Sequence, residues 1–123
     1  MVRALSSCRD IDNVVESKRI ALIAYLSRSN HDLWNYVEKL LQRLEHRAGY
    51  LIDFFVADID SLEECIAAEE REIAKKNVVI KLFFEGSCIF EQEGVFGSLE
   101  LDIQALKRGI KDVLKKRNIK TLF

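Results

Sequence analysis

The stretch that most constrains the fold is RIALIAYL at 19–26, which holds no charged side chain after Arg19. A short run that is apolar at every position, and not only at alternate ones, reads as a strand covered on both faces of a sheet. The polar residues Ser27–Asn30 interrupt it. From 31 to 48, Leu33, Trp34, Val37, Leu40, Leu41, Leu44 and Ala48 then recur at the spacing of one helix face, and Gly49 stops the helix. YLIDFFVA at 50–57 is a second strand, apolar except for Asp53, which places it nearer the sheet edge. Two strands joined through a helix must run parallel, with a right-handed crossover.

The remaining elements follow from the same periodicities. DIDNVVES at 10–17 predicts a short first helix with Ile11, Val14 and Val15 on one side. Ser61-Leu62-Glu63-Glu64 has the form of a capping box and predicts a helix to about Lys76, with Leu62, Cys65, Ile66 and Ile73 inward. NVVIKLFF (77–84) and CIFEQEG (88–94), joined by EGS, predict a hairpin, whose strands must be antiparallel. Ile103, Leu106, Ile110, Val113 and Leu114 define a last helix to about Arg117, followed by the tail NIKTLF at 118–123. The order is α-β-α-β-α-β-β-α. It predicts one α/β domain over 1–123, a mixed four-stranded sheet with helices on both faces, with a short extra N-terminal strand as an open alternative.

That order, with these lengths, resembles the thioredoxin-like fold over nearly the whole chain. IALIAYLSRSNHDLW is similar to the apolar strand, turn and helix start that carry the C-x-x-C pair in thioredoxins. FFVADID resembles their next strand, and IKLFFEGSCIFEQEGVFG their hairpin, with Gly86 and Gly97 at the two matching glycines. The resemblance implies a divergent member. Asn30-His31-Asp32-Leu33 takes the place of C-x-x-C, Asn77-Val78-Val79 takes the place of the segment with a cis-proline, and Ala24 falls near the position of a buried acid. A chain without proline has no inexpensive cis bond to offer at Val78, so a trans peptide is expected there. Thiol–disulfide exchange needs a thiolate at a helix N-terminus and a second sulfur in reach, and this turn supplies only the helix.

Three scattered cysteines, Cys8, Cys65 and Cys88, contain no C-x-x-C, and His31 and His46 have no cysteine near them in sequence. This pattern leads us to expect no disulfide, no metal site and no cofactor. No apolar run approaches the length of a membrane helix and no secretory h-region opens the chain, so an intracellular, cytoplasmic protein is the expectation. The net charge is −1, but seven bases crowd 107–120 and seven acids crowd 58–72. Bases late in a helix complement its dipole, and no aromatic interleaves them, so nucleic-acid binding is the weaker reading.

Two surfaces remain as candidates. One is the turn Ser29, Asn30, His31 and Asp32 with Trp34 and Val78. There Ser29 or Asn30 is expected to cap the helix, and Trp34 either packs in the core or meets a partner. Adjacent His31 and Asp32 cannot face each other on a helix, so no catalytic dyad is drawn from them. The other is the hairpin edge, where Phe84, Cys88, Ile89, Phe90, Phe96 and Phe123 exceed what one small core needs, unless the tail folds back over it. The sequence therefore points to a redox-inactive binding or assembly module that is not a conventional oxidoreductase and that engages a protein partner or a second copy as a homodimer. The alternative is an atypical thiol protein using Cys88 or Cys8.

Overall fold

The computed structural model describes residues 2–62 and 64–123. Strand β1 (Arg3–Leu5) leads into helix α1 (Cys8–Ser17). There follow β2 (Ile20–Leu26), α2 (His31–Ala48), β3 (Asp53–Asp58), a 3-10 turn (Ile59–Ser61), α3 (Ala68–Lys76), β4 (Val79–Phe84), β5 (Ser87–Glu93) and α4 (Leu99–Lys115). The strands form one five-stranded sheet in the order β1-β3-β2-β4-β5. β2 runs parallel to β3 and β3 parallel to β1, whereas β4 is antiparallel to both β2 and β5.

IALIAYL is the central strand, and all seven of its residues are buried. Its alternate side chains feed two cores. Ile20, Leu22, Ala24 and Leu26 pack with α2 and α4 on one face, where Trp34, Leu41, Leu106 and Ile110 meet them. Ala21, Ile23 and Tyr25 face the other side, against Ile11, Val14, Ile59, Leu62 and Ala74. This division explains why a strand with no polar alternation is stable here: both pleat faces leave water.

Three expectations about elements are corrected. The short extra N-terminal strand left open by the sequence is present, and by pairing with β3 it corrects the placement of that strand near the edge; Asp53 is polar because it stands exposed at the strand's start. The predicted capping box depends in part on Glu63, which lies outside the described residues. The helix itself begins only at Ala68, capped by Ala67 without a side-chain bond, while Ser61 ends the 3-10 turn. The hairpin turn is shorter than EGS. Glu85 and Gly86 alone make it, with φ of 48° and 90°, the left-handed pair that matches strand twist.

The expectation of no disulfide is also wrong. Cys8 and Cys65 are bonded, with Cα atoms 5.8 Å apart and 57 residues of sequence separation. Sequence spacing hides the pair because topology makes it. β1 and β3 are parallel neighbours with Leu5 beside Ala57, so the segments leaving their ends, toward Cys8 and toward Cys65, set out side by side. Cys65 was expected on an inward helical face but is exposed in the connection before α3.

The peptide bonds around Val78 are trans. The C-terminal tail runs from a left-handed Asn118 (φ 59°) that ends α4, and the Leu122 amide donates to the Tyr50 hydroxyl at 2.7 Å. Tyr50 lies in the link after α2, so the tail is tied there.

Candidate functional site

The turn after β2 is built from groups that satisfy one another. The buried Ser27 hydroxyl donates to Asp60 Oδ2 at 2.6 Å and accepts from Ser29 Oγ at 2.6 Å. Asp58 Oδ1 accepts the amides of Arg28 and Asp60, each at 3.2 Å. Two acidic side chains, one from the end of β3 and one from the 3-10 turn after it, thus fasten the end of β2. Hydrogen bonds to charged groups contribute about 1.5–3 kcal/mol apiece when dry, less where water competes, as at Arg28.

Of the two capping candidates it is Asn30 whose side chain caps α2, accepting the Leu33 amide at 3.4 Å. His31 and Asp32 are exposed on the first turn, and Trp34 is 6% exposed, packed into the α2–α4 core. The Arg28 guanidinium lies 5.3 Å above the Trp34 ring and covers its rim. Val78 is fully buried, so of the six residues named for this surface only Ser29, His31 and Asp32 are exposed, with Asn30 part-exposed.

At the other end of the sheet, β5 hydrogen-bonds to β4 and, among the described residues, to no other strand. Phe84, Ile89, Phe90 and Phe123 are half-buried against the α2–α4 core, while Cys88 and Phe96 stand exposed, Phe96 at 73%. Helix α4 approaches β5 closely. Gly109 is required there, because a Cβ at that position would lie 2.4 Å from Phe90 Cε1. Past this contact an open groove of about 970 Å³ runs along α4, lined by Lys107, Arg108, Lys111 and Lys115 with Gln104 and Asp112. A smaller hollow joins it at Phe96 and Leu101, sharing Gln104 and Arg108.

Sequence reasoning missed the residue that positions this end. Asp102 is wholly buried, accepts the Phe96 amide at 2.7 Å and the Gly97 amide at 3.2 Å, and takes a very short hydrogen bond from the Tyr36 hydroxyl. Burial, and then this bond, raise the Tyr36 hydroxyl well above its ordinary pKa. The signal was present. Asp102 stands on the inward stripe Asp102, Leu106, Ile110, Leu114, where a carboxylate survives only with partners.

The thiols divide. Cys88 is exposed as a residue, but the surroundings of its sulfur are partly dry, which pushes the thiol up; Lys81 pulls it down and is outweighed. Cys8 is the first residue of α1 behind the cap Ser7, half-exposed, and Cys65 is exposed. Among the described residues no group of three His, Cys, Asp or Glu side chains could hold a metal ion. No described helix is long and apolar enough to cross a membrane.

No family model matches the chain, and no curated protein matches it. Solved structures do. A mutant thioredoxin from Halobacterium salinarum superposes with a TM-score of 0.68 at 16% identity, over 91% of this chain and 89% of that one. The oxidised form of mitochondrial thioredoxin 3 from Saccharomyces cerevisiae gives 0.64 at 20%, over 90% and 94%. A Malassezia sympodialis thioredoxin gives 0.64 at 16%, over 91% and 90%. At such identities the likeness speaks to architecture alone. The strand order, the helices on both faces and these superpositions together establish that the chain has the thioredoxin-like fold.

Proposed function

We propose that this domain is a protein-binding module that accepts an extended, acidic segment of a partner chain along β5 and the basic side of α4. One observation carries the reading: the outer edge of a seven-residue strand pairs with no other strand among the described residues, and exposed Phe96 follows it in the link to α4. An added strand satisfies edge amides and carbonyls with main-chain bonds, and side chains supply the selection. Here Phe96 and Leu101 offer an apolar anchor, and Lys107, Arg108, Lys111 and Lys115 favour an acidic partner. The turn at 27–32 supports the same reading from the other side, since it holds no sulfur and its polar groups bond to one another.

The experiment is capture from native extract on immobilised protein. Wild type retains a partner at low salt, and both Phe96→Asp and the pair Arg108→Glu/Lys111→Glu release it. A wild-type monomer by light scattering that retains nothing, or retention unchanged in both variants, refutes the reading. A second reading, thiol chemistry through Cys8, is favoured by its own observation, the bond between Cys8 and Cys65.

A further inference from the structure

We infer that Cys8–Cys65 is an exchangeable disulfide that reacts reversibly with low-molecular-weight monothiols of the glutathione class. The inference deepens the thiol reading and does not depend on the docking surface. Four observations converge on it. The bonded pair is at the surface, with Cys65 exposed and Cys8 half-exposed, whereas a bond that serves only as a staple needs no access for an attacking thiolate. Cys8 is the first residue of a ten-residue helix whose start is held by the Ser7 side chain on the Asp10 amide, so its sulfur is presented from a fixed backbone. Cys65 stands in non-helical chain between the 3-10 turn and α3, where it can move without breaking a helix. Finally, the flanking residues are anchored independently. Leu62 is fully buried and its carbonyl accepts from Arg71 Nη2 at 3.3 Å, while Ile11 and Val14 hold α1 to the sheet. The fold therefore does not rest on the sulfur bond alone.

These placements assign the roles. A monothiolate attacks the accessible sulfur of Cys65, and the S–S bond breaks with its electron pair leaving on Cys8. Cys65 is the exposed residue of the pair and Cys8 the half-exposed one, so attack at Cys65 leaves the electron pair on Cys8. The product is a mixed disulfide on Cys65 and a thiolate on Cys8. A second monothiolate attacks the monothiol's own sulfur in that mixed disulfide, releasing the oxidised dimer of the monothiol and the Cys65 thiolate. In sum one protein disulfide and two monothiols give one protein dithiol and one small disulfide. The reverse sequence, driven by the small disulfide, closes the bond.

The test equilibrates native protein in buffers of stepped reduced-to-oxidised glutathione ratio, quenches with acid, alkylates, and reads each cysteine by peptide mass. The result expected is full, reversible interconversion of Cys8–Cys65 with the far-ultraviolet circular dichroism unchanged. The native bond should be reduced within about tenfold of the rate in denaturant. In Cys8→Ser the glutathione adduct collects on Cys65. A bond that opens only when the protein unfolds overturns the proposal, as does Cys8 remaining unpaired with Cys65 in fully oxidising buffer. An adduct confined to Cys88 overturns it too. If the docking variants lose their partner while the bond proves inert, only this inference fails; if the bond exchanges and nothing docks, only the binding module does.

Discussion

Replacing Asp102 with alanine removes the buried acceptor of three part-buried hydrogen bonds at once: those from the Tyr36 hydroxyl and from the amides of Phe96 and Gly97. Asp102 itself is wholly buried, but water can reach donors on half-exposed Tyr36 and exposed Phe96 and Gly97 once the carboxylate is gone. The loss is that of hydrogen bonds to a charged acceptor whose neutral donors can rehydrate, about 1.5–3 kcal/mol. Unfolding entropy for a chain of this length is about 260 cal/mol/K, so the midpoint should fall by about 6–12 °C. Thermal and urea unfolding followed by circular dichroism measure it. A double-mutant cycle with Tyr36→Phe should show coupling of about 1–2 kcal/mol between the two side chains. Because Asp102 fixes the backbone at Phe96, partner retention should weaken in Asp102→Ala even below its midpoint. A variant within about 1 kcal/mol of wild type, with no coupling to Tyr36, would refute the account of this carboxylate.

Other outcomes follow from the same structure. Cys8→Ser/Cys65→Ser should lower stability by up to about 4 kcal/mol under oxidising conditions, since the bond closes a long loop, and by much less in excess reductant. Stability should fall with rising pH above about 10: the Tyr36 and Tyr25 hydroxyls have raised values in the folded state, so the unfolded chain loses those protons first. Tyr36→Phe should reduce that alkaline loss, measured as the pH dependence of the urea midpoint. Asn30→Ala should cost about 1 kcal/mol through the uncapped Leu33 amide and leave the redox behaviour of Cys8–Cys65 unaltered, as urea titration and alkylation would show.

What could be read from the sequence was what local periodicity decides. RIALIAYL and the 31–48 helix follow from spacing and the structure places them as expected, and of the two cap candidates Ser29 and Asn30 it uses Asn30. β1 could not be read in the same way. Three residues, Arg3–Leu5, carry no period, and only pairing with β3 makes them a strand. The disulfide was missed because it depends on that same pairing, which lays two distant segments side by side. The start of α3 went wrong because a cap motif is local while Cys65 is bonded elsewhere. Trp34 shows the converse. Its helical spacing left two roles open, and burial beside Leu41 and Leu106 gives it the packing role.

The central claim is that this thioredoxin-like scaffold works by binding and does not reduce protein disulfides. Catalysed reduction of insulin by dithiothreitol tests it most directly, on wild type and on Cys8→Ser/Cys65→Ser/Cys88→Ser. The account predicts that neither protein accelerates the reaction above dithiothreitol alone. Acceleration by wild type that is lost in the triple variant would contradict it, and mapping that turnover to Cys8 and Cys65 would leave the thiol reading standing in its place.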